Sequence, residues 1–181
     1  MPPLDLRRQL RQLGLPFPTT AIPAPLLVPG VPLLYLLGTY FARKIQSTGI
    51  LDGVLVPWFA RAGVKKENVP FATLGVVWTL TYCHPRIHRQ ELRGLSARLL
   101  ASHENLMEQF PGFASAMIIA HIAKVPLDKQ IGFGLLHMIS RMAFYPAYIF
   151  NVDIARTSSF YIGLGCLPWL FGLSVLPEIV A

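Results

Sequence analysis

The sequence predicts an all-α integral membrane protein: an up-down four-helix transmembrane bundle (residues 67–181) behind a Pro-rich N-terminal extension (residues 1–66). Three observations carry this. Apolar residues make up 53% of the 181-residue chain and charged residues only 14%, too few charges for the surface of a soluble domain of this size. The apolar residues come in long blocks, not in short alternating strands, as membrane helices require. The breaks between the later blocks are short, which forces antiparallel neighbours.

The extension opens on Arg7, Arg8 and Arg11 with no apolar core and no small-residue cleavage site, unlike a secretory signal. Pro16, Pro18, Pro23, Pro25, Pro29 and Pro32 follow, and this density predicts extended or polyproline-like chain with no continuous helix across Pro16–Pro32. Such a stretch cannot satisfy its own backbone inside lipid, so it is expected to run along the membrane surface or over partner proteins. Leu26–Ala42 holds about 17 residues, the lower limit for a span, and is read as one further membrane or interfacial helix. Ile50–Ala60 contains Pro57 and ends near Trp58. It is a poor spanning helix and a good interfacial one.

Four clearer helices follow, at about Pro70–Tyr82, Leu95–Ala123, Gln130–Phe150 and Arg156–Leu176. Pro85 with a basic loop, Pro126 and Asn151-Val152-Asp153 separate them. The net charge of +7 sits in short segments between apolar blocks, with no basic stripe interleaved with aromatics. That pattern suits loops facing anionic lipid and excludes nucleic acid as a partner. Eight cations fall to one side of the bundle and seven to the other if Leu26–Ala42 spans, so charge gives no orientation. Cys83 and Cys166 lie far apart, and Cys83-His84-Pro85-Arg86-Ile87-His88 is too sparse for zinc. No metal is expected.

Polar residues at membrane depth carry the functional signal. Arg98, Ser102, Asn105, Glu108 and Gly112 follow spacings of four, three, three and four, one stripe of a helix with Gln109 beside it. Gly134, His137, Arg141, Tyr145 and Tyr148 form a matching stripe on the next helix. A charge left in lipid costs at least about 2.5–3.5 kcal/mol, so Glu108 and Arg141 are both expected to turn inward, to each other or to a partner subunit. Two readings stay open. Glu108 and Arg141 pair through Asn105 and lock the bundle, or the carboxylate takes a ligand's amine and the arginine its carboxylate.

The run from Arg98 through Asn105, Glu108, Phe110 and Pro111 to Phe113 resembles the second-helix signature of the MAPEG superfamily, membrane-associated proteins in eicosanoid and glutathione metabolism. Arg141-Met-Ala-Phe-Tyr-Pro146-Ala-Tyr148, with Arg156 eight residues on, is similar to the third-helix pattern of its short bacterial-type members. The resemblance covers about Pro70–Leu176 and implies four-helix bundles assembled as trimers, with glutathione bound between subunits. It implies that Asn105 and Glu108 hold the glutathione backbone and amine, that Arg141 and Tyr148 hold carboxylates or peptide, and that Arg156 stabilises the thiolate as the catalytic cation. Two positions depart from the pattern. Ala101 stands where an arginine is usual, leaving the more distal Arg98, and Phe144 stands where a tyrosine is usual.

Two functions follow. One is an accessory or structural subunit with a degenerate glutathione site, clamped by its extension into a larger membrane complex of an energy-converting organelle (thylakoid or mitochondrial inner membrane). The other is a glutathione transferase or peroxidase acting on lipophilic electrophiles, a homotrimer, in an endomembrane or organelle membrane. The lipid bilayer is a partner in both.

Overall fold

A computed structural model describes residues 24–82 and 94–176. The described chain is all helical: α1 (Ala24–Ser47), α2 (Ile50–Arg61), a 3-10 turn at Lys66–Asn68, α3 (Val69–Tyr82), α4 (Leu95–Ile122), α5 (Leu127–Ile149) and α6 (Asp153–Val175). It divides into two compact units, Met1–Leu33 and Leu34–Ala181. The boundary falls inside α1, and the packing below concerns the second unit. Residues 1–23, which hold Pro16, Pro18 and Pro23, and the basic loop with Cys83 lie outside the described residues.

The one correction to the predicted elements is at α1. The helix starts at Ala24 and runs through Pro25, Pro29 and Pro32, where extended or polyproline-like chain was expected. Pro25 falls in the first turn, whose N–H groups have no intrahelical acceptor in any case. Pro29 and Pro32 follow at steps of four and three, so the missing donors share one side of the helix. The backbone loses two bonds near its start and none in its last four turns.

Helix ends are set by local chemistry. Gly63 adopts φ 82°, and Val64 N–H donates to Phe59 O at 2.9 Å while Gly63 N–H donates to Ala60 O at 3.0 Å. This is a Schellman stop for α2, and glycine meets its left-handed requirement without strain. The same pair of bonds closes α4 through Lys124 (φ 58°) and α5 through Asn151 (φ 56°). These tight stops let the chain turn within a few residues between α2 and α3, between α4 and α5, and between α5 and α6.

The interior of this four-helix set is the apolar cluster of Val69, Val77, Phe113, Met117, Leu135 and Leu170 with their neighbours. Buried among them are Thr73, Ser102, Gln130, His137, Ser140 and Arg141. The outside carries Leu36, Tyr40, Trp58, Trp78, Ile118, Ile122, Met142, Phe150 and Val175, all exposed. Polar groups inside and apolar groups outside are the arrangement a lipid environment selects. Among the described residues, α6 is the one helix long and apolar enough by itself to cross a membrane. The reasons differ for its neighbours. The 14 residues of α3 reach about 21 Å against a core of about 30 Å. The 28 residues of α4 and the 23 of α5 are long enough, but their inward stripes lower their hydropathy.

Glycines let α1 and α5 approach their neighbours. A Cβ on Gly165 of α6 would lie 2.5 Å from the carbonyl carbon of Gly38 and 2.6 Å from Thr39 N, so the α1 and α6 backbones touch there as membrane helices do at small residues. A Cβ on Gly132 of α5 would meet the Gln46 side chain at 2.7 Å.

Candidate functional site

The polar stripe of α5 turns toward α6. Arg141 is 1% exposed. Its Nη2 donates to Ser159 O at 3.1 Å and to Phe160 O at 2.8 Å, second bonds for carbonyls already in the α6 ladder. Nε and Nη1 have no hydrogen-bond partner. The guanidinium carbon lies 5.5 Å from the centroids of both Phe144 and Phe160, whose faces supply the attraction that a carboxylate does not. One turn earlier, His137 stacks on Phe113 with centroids 3.8 Å apart, and its Nδ1 lies 2.9 Å from Gly163 O. Gly163 leaves room for the same Arg141 side chain, since any Cβ there would overlap the guanidinium. The buried stripe of α5 is thus a lock onto α6.

On the far side of Phe144 and Phe160 opens a cavity of about 260 Å³. Asn105 from α4, Phe144 and Tyr148 from α5, and Arg156, Thr157, Phe160 and Tyr161 from α6 line it. The Arg156 guanidinium carbon lies 4.9 Å over the Tyr148 ring, and its Nη2 pairs with Asp153 Oδ1 at 2.9 Å. That ion pair is partly exposed and leaves the other guanidinium donors free. Asn105 Nδ2 donates to Ala101 O at 2.8 Å, which fixes the amide and leaves its oxygen as an acceptor. The cavity therefore combines one cation, an amide oxygen, the Thr157 hydroxyl and four aromatic rings.

Of the sequence-predicted site residues, Asn105, Tyr148 and Arg156 meet in this cavity. Arg98, partly buried, lies two helical turns from Asn105 and does not line it. Arg141 stands behind its aromatic wall. Glu108 is the correction: it is exposed on α4, and no ion pair joins it to Arg141. The residue steps place Glu108 on Asn105's side of α4, but α5 and α6 cover a neighbouring sector, so this carboxylate points out of the chain. Tyr161, Thr157 and Phe160 were missed. Their signal was present, since Phe160 follows Arg156 and Tyr161 follows Thr157 at steps of four, but periodicity alone does not show that these two adjacent rows line one opening.

The match to known proteins falls on this same set of helices. A family model described as the MAPEG family matches residues 49–176, which takes in α2 as well as α3–α6. The chain belongs to the MAPEG family. It is therefore a MAPEG-like, membrane-associated protein, consistent with its apolar exterior. No curated protein and no solved structure matches this MAPEG chain. α1 precedes the family match.

Proposed function

We propose that the cavity beside Arg156 binds glutathione and that four MAPEG helices of each copy span the bilayer. The observation that carries the reading is the convergence of Asn105, Tyr148 and Arg156, from three helices, on one opening lined by aromatic rings. A thiol peptide needs a cation near its sulfur, an acceptor for its N–H groups and apolar walls for a lipophilic co-substrate. Arg156 supplies the first, because a fixed positive charge lowers the cost of holding sulfur as thiolate. Asn105 supplies the second, and Phe144, Phe160 and Tyr161 the third. In the transferase reaction the thiol proton leaves to solvent, the thiolate attacks an electrophilic carbon, and the carbon–halogen bond of an aryl halide breaks to release halide. Glu108, exposed at the same level, completes the amine subsite across an interface between copies.

Arg156→Ala is expected to reduce turnover with an aryl halide far more than glutathione affinity, since the cation acts on the charged, reacting sulfur. Glu108→Gln is expected mainly to weaken binding. Equal losses of binding and turnover in both variants, or wild-type turnover in Arg156→Ala, would overturn the assigned roles.

A second reading is supported by Ala101 and Phe144, which remove ligand contacts, and by α1 with the residues before it, which precede the family match. In that reading the chain is a subunit whose first 66 residues hold it in a larger membrane complex. Purification in mild detergent separates the two. A trimer-sized particle that turns over glutathione supports the enzyme, and a large complex released on deleting residues 1–30 supports the subunit.

A further inference from the structure

A second cleft, of about 500 Å³, lies between α1 and α6 near their C-terminal ends, at the opposite end of the bundle from Arg156. Its floor is Trp169, whose Nε1–H donates to Thr39 O at 2.7 Å and so ties α6 to α1. The Arg43 guanidinium carbon stacks 4.6 Å over the Trp169 ring, and Lys44 lines the same cleft. Neither cation pairs with a carboxylate among the described residues. The aliphatic hydroxyls in the lining have already used their protons, Thr39 on Tyr35 O at 2.9 Å and Ser47 on Lys44 O at 2.8 Å, while Tyr40 brings a phenolic O–H. The charged donors of the cleft are the two cations, with the Tyr40 hydroxyl beside them. A guanidinium held by its face on indole presents its N–H edge, the geometry that takes a phosphate.

The order of residues along α1 narrows the ligand. Exposed Leu36 and Tyr40 come first, then Arg43 and Lys44, then Ser47, all on one stripe of steps three and four. Read along the helix this is hydrocarbon, aromatic, cation, hydroxyl, the polarity profile of a bilayer leaflet from acyl chain to headgroup. The surroundings agree in sign. Gln46 of α1 packs on Gly132 in the first turns of α5, and Lys66 and Lys129 act on Asp52, so Lys66, Lys124 and Lys129 lie at this end with Arg43 and Lys44, against Asp52 and Asp128.

We propose that this cleft is a site for one anionic phospholipid, its phosphate between Arg43 and Lys44 and its glycerol and acyl chain along Tyr40 and Leu36. The inference rests on membrane association and is independent of the glutathione reading. The test uses the full-length chain in detergent, with lipid retention read by native mass spectrometry against added phosphatidylglycerol or phosphatidylcholine. Phosphatidylglycerol is expected to be preferred by tenfold or more, and Arg43→Gln/Lys44→Gln to abolish the preference. Both side chains are exposed, so the fold should be retained, as a far-UV circular dichroism melt will show. Lys124→Gln/Lys129→Gln removes two cations from the same end outside the cleft and is expected to keep the preference. The proposal is overturned if the cleft variant still prefers phosphatidylglycerol, or if the Lys124/Lys129 variant loses the preference equally. It is also overturned if millimolar inorganic phosphate displaces the lipid, which would mark a free-anion site.

Discussion

Replacing Gly163 by alanine tests the α5–α6 lock where it is tightest. The added methyl would overlap Arg141 Nη2 and lie 2.9 Å from both Cζ and Nε, so the guanidinium must move. Moving it breaks the bonds to Ser159 O and Phe160 O, and the adjacent His137 contact to Gly163 O at 2.9 Å is strained with them. Interhelical hydrogen bonds in membrane proteins contribute about 0.6–1.7 kcal/mol each, and overpacking a filled interior costs about 1–3 kcal/mol. Together these give a loss of about 3 kcal/mol. The assay is reversible unfolding in mixed micelles with rising sodium dodecyl sulfate, followed by helical circular dichroism. Gly75→Ala is the control, since nothing lies within 4 Å of its added Cβ, and it is expected to gain up to about 1 kcal/mol. Adding Arg141→Met to Gly163→Ala should recover part of the loss, because the two changes share one contact. If Gly163→Ala unfolds within about 0.5 kcal/mol of wild type, below any of the named terms, the lock described here is not what holds α5 to α6.

Further predictions follow from other contacts. Gly165→Ala places a methyl against the backbone of Gly38 and Thr39, which cannot rotate away, so α1 residues 34–47 should lose hydrogen-exchange protection while α3–α6 keep theirs. Unchanged protection in α1 would contradict the close crossing. Phe144→Tyr adds a hydroxyl in the wall of the Arg156 cavity and should raise glutathione affinity about tenfold, the effect of one good hydrogen bond. Titration calorimetry showing no gain would place the ring edge away from the ligand. Asp52, on α2, has its pKa raised by burial, with Asp128 nearby adding to the rise and Lys66 and Lys129 opposing it. The folded state therefore holds this proton more tightly than the unfolded chain, and the group's contribution to stability grows as pH falls from neutral through the raised value. Asp52→Asn should stabilise the protein at neutral pH and bring little change near pH 4, about the ordinary aspartate value. Equal effects at both pH values would count against the shift.

Much of this protein was legible in its residues alone. Helix positions came within a few residues of the observed ones, because long apolar runs closed by Pro126 or by Asn151-Val152-Asp153 leave little choice of where a helix ends. The polar stripes were legible too, since a period of 3.6 places Asn105 with Glu108 and His137 with Arg141 whatever surrounds them. What periodicity cannot state is which neighbour covers a stripe. Packing decided that Arg141 turns to α6 carbonyls and aromatic faces and that Glu108 is left outside, against the direct pair that was one of the two readings open from the sequence. Packing also brought Asn105, Tyr148 and Arg156 together across three helices, and set Gly38 against Gly165 more than a hundred residues away in the chain. The prolines of α1 show the converse limit. Local rules read each as a break, but three missing donors on one side near a helix start leave the rest of its ladder intact, and the helix continues to Ser47. Local chemistry determined the segments and their faces; only tertiary contact, which pairs residues without regard to their distance in sequence, determined what those faces meet.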